Sequence, residues 1–293
     1  MTLKEFYSKH DKQIDDAIKR ALVEDRVKGD ITTSLVFKSK EGNRIINAKL
    51  LCKEDCVLAG LDIFKRVYKT LYSGVRFKGS YRDGQKIKSK SVILEVKSPL
   101  KILLEGERTS LNFLQRMSGI ATLTNEFVKS LKYKNAKILH TRKTTPNFRL
   151  FELAAVKTGG GDFHRFDLSS AVMIKDNHIE AVGSVDEVLR RINSKKLTDK
   201  EKYRFEIEVK SIKELKQVLK EAGKYIKIVM LDNFHPSDIA EAVRLLRKYR
   251  IKTELSGGIT LRNFKKLQMK GIDYYSIGML THSYKSIDFS LEF

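Results

Sequence analysis

A chain of 293 residues with 41% hydrophobic and 32% charged side chains is ordinary for a globular protein and long enough for one large domain or two. Three prolines and no low-complexity tract argue against disordered linkers, and neither a signal-peptide core nor a bilayer-spanning run is present, which points to the cytoplasm. The net charge of +22 permits nucleic-acid binding, but the lysines are spread over every helical pattern without interleaved aromatics, so neither nucleic acid nor membrane is expected as a partner.

In chain order, residues 11–23 place Ile14, Ile18, Ala21 and Leu22 at helical spacing, and an amphipathic helix is expected there. EDRVKGDITT reads as a cap and turn before a strand. From Leu35 to about Leu104 short β-type runs follow: LVF, RIINAKLLC, VLAG, VRFKGSYR and VILEVK. Glu41-Gly42-Asn43 and Asp83-Gly84 act as turns, and one helix is expected near Ile63–Tyr72. This is the pattern of a small α+β domain with a mostly antiparallel sheet. Cys52 and Cys56 have no second Cys/His pair to complete a zinc site and read as reduced, half-buried strand residues.

The second part opens with a long helical pattern containing Leu111, Leu114, Phe127, Val128 and Leu131, with Ser118-Gly119 as a break. Apolar runs at 136–140, 171–174, 205–209, 226–231, 252–255 and 274–277 then alternate with helical patterns. Ser184 with Glu187 and Ser211 with Glu214 fit capping boxes, Pro236 suits a first helical turn, and Gly223 and Gly271 suit C-terminal caps. Six successive βα units imply a parallel α/β barrel or a doubly wound sheet, and the barrel is preferred because each strand delivers a reactive or flexible residue at its C-terminal end.

Those residues are Arg142 and Lys143, Lys175 and Asp176, Glu208, Asp232, Ser256-Gly257-Gly258, and Gly278. Arg142 offers a bidentate fork for a carboxylate or phosphate, while Lys143 and Lys175 are point charges. His164-Arg165 adds a titratable group beside a permanent cation. Gly257 and Gly258 ahead of a helix suit a phosphate; Glu208 with Asp232 suits ribose hydroxyls or Mg²⁺. Any one of these cations alone would be a surface ion pair, but five converging on one mouth imply a small, multiply anionic substrate.

Over nearly its whole length the sequence resembles quinolinate phosphoribosyltransferase. The likeness lies in ALVEDRVKGDITT, LLEGERTSLNFLQRMSGIAT, HTRKTTPNFR, GGGDFHR, MIKDNHI, EIEV, MLDNF, ELSGGI and SIGMLTHS. It implies an N-terminal α+β sandwich domain (1–107, with the tail 283–293 packing on it) and an incomplete parallel α/β barrel of the type II phosphoribosyltransferase kind (108–282). It further implies a homodimer and Mg²⁺-dependent joining of quinolinate to phosphoribosyl pyrophosphate, giving nicotinate mononucleotide, pyrophosphate and CO₂ for NAD synthesis. By resemblance, Arg108 reaches the partner's quinolinate, and Arg142, His164 and Arg165 clamp the carboxylates. Lys143 and Lys175 touch both substrates, Glu208 and Asp232 serve ribose and Mg²⁺, and Ser256, Gly257, Gly258 and Gly278 hold phosphate with His282 nearby. Four usual glycines are replaced, by Lys90, Ser98, Asn147 and Asp167. Asn and Asp tolerate the left-handed region best, so both loops are expected to survive.

Overall fold

The computed structural model describes residues 1–25, 29–194, 205–221 and 226–293. Compactness divides the chain into two units. The first holds Met1–Asn125, Thr144–Gly161 and Leu280–Phe293; the second holds Glu126–Lys143 and Asp162–Met279. The division therefore lies elsewhere than a single cut after residue 107.

Leu3–Lys9 (α1) and Asp11–Asp25 (α2) open the first unit, and Ile14, Ile18 and Leu22 turn inward from α2 as their spacing requires. A cap does follow, with Asp30 accepting from the Thr33 N–H, but it starts a helix, Ile31–Val36 (α3), instead of a strand. Local capping chemistry overrides the β-propensity of Leu35-Val36. Likewise Glu41-Gly42 ends a short helix, Ser39–Gly42 (α4), in place of a plain turn. Ile45–Cys52 (β1), Cys56–Val57 (β2), Leu61–Leu71 (α5), Arg76–Lys78 (β3), Lys86–Ile87 (β4) and Val92–Pro99 (β5) follow. An antiparallel sheet forms in the order β12-β1-β5-β3, where β12 is the tail strand Phe289–Glu292. Its alternating inner residues Ala48, Leu50, Cys52 and Val96 pack with Phe64 and Tyr68 of α5 and with Phe289 and Leu291 of the tail. Both cysteines are buried, deeper than expected, Cys52 because β1 lies between β5 and β12, and their Sγ atoms are 3.6 Å apart.

The next helix, Leu100–Lys129 (α6), is continuous, so Ser118-Gly119 breaks nothing. The Ser118 hydroxyl instead accepts from the Ala59 N–H (3.0 Å) and lies 3.1 Å from the Ala59 carbonyl. A Cβ at Gly119 would run into the Lys285 carbonyl. Small residues here allow close approach of two backbones.

In the second unit come Lys137–Leu139 (β6), Val172–Ile174 (β7), Phe205–Val209 (β8), Ile228–Asp232 (β9), Lys252–Ser256 (β10) and Tyr274–Ser276 (β11). All pair in parallel in the order β6-β11-β10-β9-β8-β7. Among the described residues edges remain at β6 and β7, so the sheet is an unclosed parallel α/β barrel of six described strands. Between the strands run Arg149–Thr158 (α7, which packs in the first unit), Asp176–Val182 (α8), Val185–Asn193 (α9), Ile212–Glu221 (α10), Pro236–Lys248 (α11), Leu261–Leu267 (α12) and Met279–His282 (α13). Ser184 and Ser211 accept from the N–H groups of Glu187 and Glu214, Pro236 opens α11, and Gly271 has a φ of 107° in the turn after α12. Gly223 lies outside the described residues. Among the described residues, no helix is long and apolar enough to cross a membrane.

Candidate active site

Parallel pairing brings one end of all six strands to the same rim, and the expected residues stand there. Arg142 lies three positions past β6, Lys175 directly follows β7, Glu208 is next to last in β8, Asp232 and Ser256 close β9 and β10, and Gly278 lies two past β11. A cavity of about 600 Å³, within the range of small-molecule sites, is lined by Arg142, Arg165 and Lys175, with Leu168, Ser170 and His178 among its walls. Three of the five expected cations are thus brought to one space. Lys143 is exposed and lies outside that lining. Burial, and then the neighbouring Arg142, lower the pKa of Arg165, as crowded cations should before an anion arrives.

His164 does not line the cavity; it lies behind Arg165, 8% exposed. Its Nε2 is 3.2 Å from Glu206 Oε2 and 3.4 Å from Glu254 Oε2. Its backbone N–H donates to His140 Nε2 (3.0 Å), and the Arg165 N–H points at its Nδ1 (2.7 Å). Burial opposes charge on this ring, but Glu254 and Glu206 outweigh it and push the pKa up to about 9. With the Arg165 N–H aimed at Nδ1, the neutral ring carries its hydrogen on Nε2, which faces both carboxylates without hydrogen-bond geometry to either. Protonating Nδ1 exchanges one backbone hydrogen bond for the attraction of two buried carboxylates, and the charge term is the larger.

Lys175 Nζ pairs with Glu208 Oε2 at 2.5 Å, and Lys210 with Asp176 at 2.6 Å. Asp232 accepts from the Asn233 side-chain amide (2.8 Å). Two carboxylates at adjacent strand ends are a donor set that suits Mg²⁺, which needs only one or two protein oxygens when phosphates and waters complete its shell.

The loop after β10 has Gly257 and Gly258 at φ 95° and 56°. A Cβ on Gly257 would strike Asn233, whose N–H donates to the Ser256 carbonyl (3.0 Å), so the β9 and β10 loops interlock and only glycine fits. The first turn of α12 is already capped by Thr260 and Asn263.

Arg108 and His282 belong to the first unit. Arg108 is exposed on α6 and lines a second cavity of about 600 Å³ with Arg20, Asn112 and Arg116. Arg116 pairs with the buried Glu152 (3.0 Å), whose other oxygen accepts from the Thr145 N–H (3.1 Å), so the segment following Arg142-Lys143 is anchored by a partly buried ion pair. His282 is exposed at the end of α13, with Nδ1 2.7 Å from Ser283 Oγ.

Comparison with known families decides what this arrangement belongs to. The N-terminal domain of quinolinate phosphoribosyl transferase matches residues 30–118 and the C-terminal domain matches residues 120–292. The chain belongs to the quinolinate phosphoribosyltransferase family. A probable nicotinate-nucleotide pyrophosphorylase [carboxylating] of Bacillus subtilis is 36% identical over 280 residues, covering 96% of this chain and 93% of the relative. The Methanocaldococcus jannaschii counterpart is 38% identical, covering 94% and 95%. Among solved structures, NadC from Streptococcus pyogenes superposes with a TM-score of 0.88 at 39% identity, covering 96% of each chain.

Within this family frame, sequence reading passed over several side chains of the site. Glu254 lies in the middle of β10 and Glu206 within the apolar run of β8. His140 was seen only as a strand end, and Asn233 not at all. The available signal was a carboxylate amid buried strand residues, which folding alone does not favour.

Proposed function

We propose that this chain joins quinolinate to phosphoribosyl pyrophosphate, releasing pyrophosphate and CO₂, to form nicotinate mononucleotide for NAD synthesis. The observation that carries this reading is the convergence of Arg142, Arg165 and Lys175 on one cavity at the strand ends. A planar dianion matches that set, since guanidinium forks take carboxylates in pairs. The names of the relatives over almost the whole chain support the same reaction.

On this reading Arg142 and Arg165 hold the acid's carboxylates, and His164 fixes the backbone that carries Arg165. The ring nitrogen's lone pair forms a bond to the anomeric carbon as the bond to the pyrophosphate oxygen breaks, and the electron pair leaves with pyrophosphate. The carboxylate beside the now cationic nitrogen then departs as CO₂, and its ring carbon takes up a proton. Fixed orientation and matched charge are the catalytic contributions of the chain. Glu208 and Asp232 steady the positive charge that develops on the ribose and bind its hydroxyls, and Lys175 and Lys143 contact both substrates. Ser256, Gly257, Gly258 and Gly278 seat the phosphate, with His282 nearby. Glu208 and Asp232 would also hold Mg²⁺, which neutralises charge on the pyrophosphate group.

The enzyme acts as a homodimer on this reading, with Arg108 completing the partner's acid site. Its exposure on α6 supports that assignment. The test is an assay of the purified protein with quinolinate, phosphoribosyl pyrophosphate and Mg²⁺, following nicotinate mononucleotide. Arg142→Ala is expected to lower kcat/KM for quinolinate by about 100-fold, the loss of one charge-assisted bidentate contact. Absence of product from the unaltered chain would refute the assignment.

A further inference from the structure

Two carboxylates of the sheet interior have no place in the roles above. Glu206 on β8 is 1% exposed and Glu254 on β10 is 0% exposed. They stand on strands separated by β9, with Glu206 opposite Ile228 and Glu254 opposite Met230, yet both reach the same atom, His164 Nε2. Neither oxygen of Glu254 accepts a hydrogen bond of good geometry among the described residues, so His164 is the polar group it faces.

Stability does not explain the pair. Barrel interiors are normally filled by branched apolar side chains, and well-packed hydrophobic residues in place of buried charges are often neutral or stabilising. A metal does not explain it either. His164, Glu206 and Glu254 are close enough together to hold an ion, but a ring whose Nδ1 faces the Arg165 N–H carries its hydrogen on Nε2. That nitrogen presents an N–H to the carboxylates and no lone pair to an ion.

The contacts on the other side of the ring show what the pair holds still. The Arg165 N–H rests on His164 Nδ1, the His164 N–H rests on His140 Nε2, and the Arg165 side chain lines the cationic cavity. We infer that Glu254 and Glu206 are positioning residues of the acid-binding site, holding the Nε2 side of the His164 ring by charge at 3.4 and 3.2 Å so that the adjoining Arg165 is presented at a fixed point to a substrate carboxylate. This rests on the reading that the cavity takes the dicarboxylic acid. Neither glutamate touches substrate; they act through His164.

Three variants test it. Glu254→Leu fills the space with neither charge nor polarity, Glu254→Gln keeps a polar oxygen without the charge, and Glu206→Gln probes the partner carboxylate. Glu254→Leu is expected to fold and to raise KM for quinolinate by about tenfold or more, while kcat and KM for phosphoribosyl pyrophosphate change less than about threefold. Glu254→Gln is expected to fall between this variant and the parent, which a purely space-filling role would not produce. In ligand-free protein with ¹⁵N-labelled histidine, the His164 Nε2 resonance is expected to move in both Gln variants. A folded Glu254→Leu variant with unchanged KM for quinolinate, or with both KM values raised together, overturns the inference. Should Glu254→Leu not fold, an unmoved His164 resonance in both Gln variants overturns it equally. Failure of the parent to turn over quinolinate would count against the functional reading, while the resonance would still report whether the clamp exists.

Discussion

Asn147 and Lys90 stand in the left-handed region at φ 62° and 67°. Asn tolerates that conformation and Lys less so, at a cost of roughly 1–2 kcal/mol for an ordinary residue. Asp167 was expected to behave like Asn147, but it does not adopt a positive φ. Its carboxylate instead accepts from the hydroxyls of Ser170 and Ser169 and from the Ser169 N–H, contacts that hold its pKa at about 2. The Asp167 side chain thus caps the following turn itself. His164 carries the clearest pH consequence. Its pKa is raised from 6.5 to about 9, so its stabilising contribution is complete below pH 6.5 and is lost as pH rises through about 9. The effect is on the order of 3 kcal/mol. Thermal melts are expected to show the parent losing more stability than His164→Gln between about pH 6.5 and about pH 9.5; parallel curves would contradict this.

At the scale of elements, α6 joins the two compact units and also bears the tail. Ile287 N–H donates to the Gln115 carbonyl (3.2 Å), the Gln115 side-chain amide donates to the Phe289 carbonyl (3.3 Å), and Lys285 passes against Gly119. Alanine for glycine inside a helix normally stabilises by roughly 1 kcal/mol. Here the new Cβ meets a backbone carbonyl, and Gly119→Ala is expected to destabilise by about 1–3 kcal/mol in urea unfolding. A stabilised variant would show that the tail yields easily. The tail matters because β12 closes one edge of the first sheet and places Phe289 and Leu291 in its core.

For the whole molecule, a charge of +22 spread across the surface adds little to the fold and much to the capture of anions. Screening should therefore affect binding before it affects structure. Raising salt from about 20 mM to about 200 mM is expected to lower kcat/KM for both anionic substrates by about threefold or more with little change in Tm, because surface charges more than a Debye length apart cease to act. Salt-independent kcat/KM would mean that the local cations alone attract the substrates.

Much of this protein is readable from its chain. Parallel strands followed by Arg142, Lys175, Asp232 and Ser256 were legible because strand alternation, turn residues and rim position are local properties with short periods. The same local rules misread α3, where a cap outweighed β-propensity, and the continuity of α6, where Ser118-Gly119 marks a contact and not a break. What only the tertiary structure decided is which distant groups meet. Glu206 and Glu254 converge on His164 from strands that are not adjacent, Asn233 locks against Gly257, and Lys143 stays outside the cavity that takes Arg142. Sequence determines the kinds of groups and the strand ends that carry them. Their convergence depends on the order in which six strands pair, which is a long-range property that no local window of residues contains.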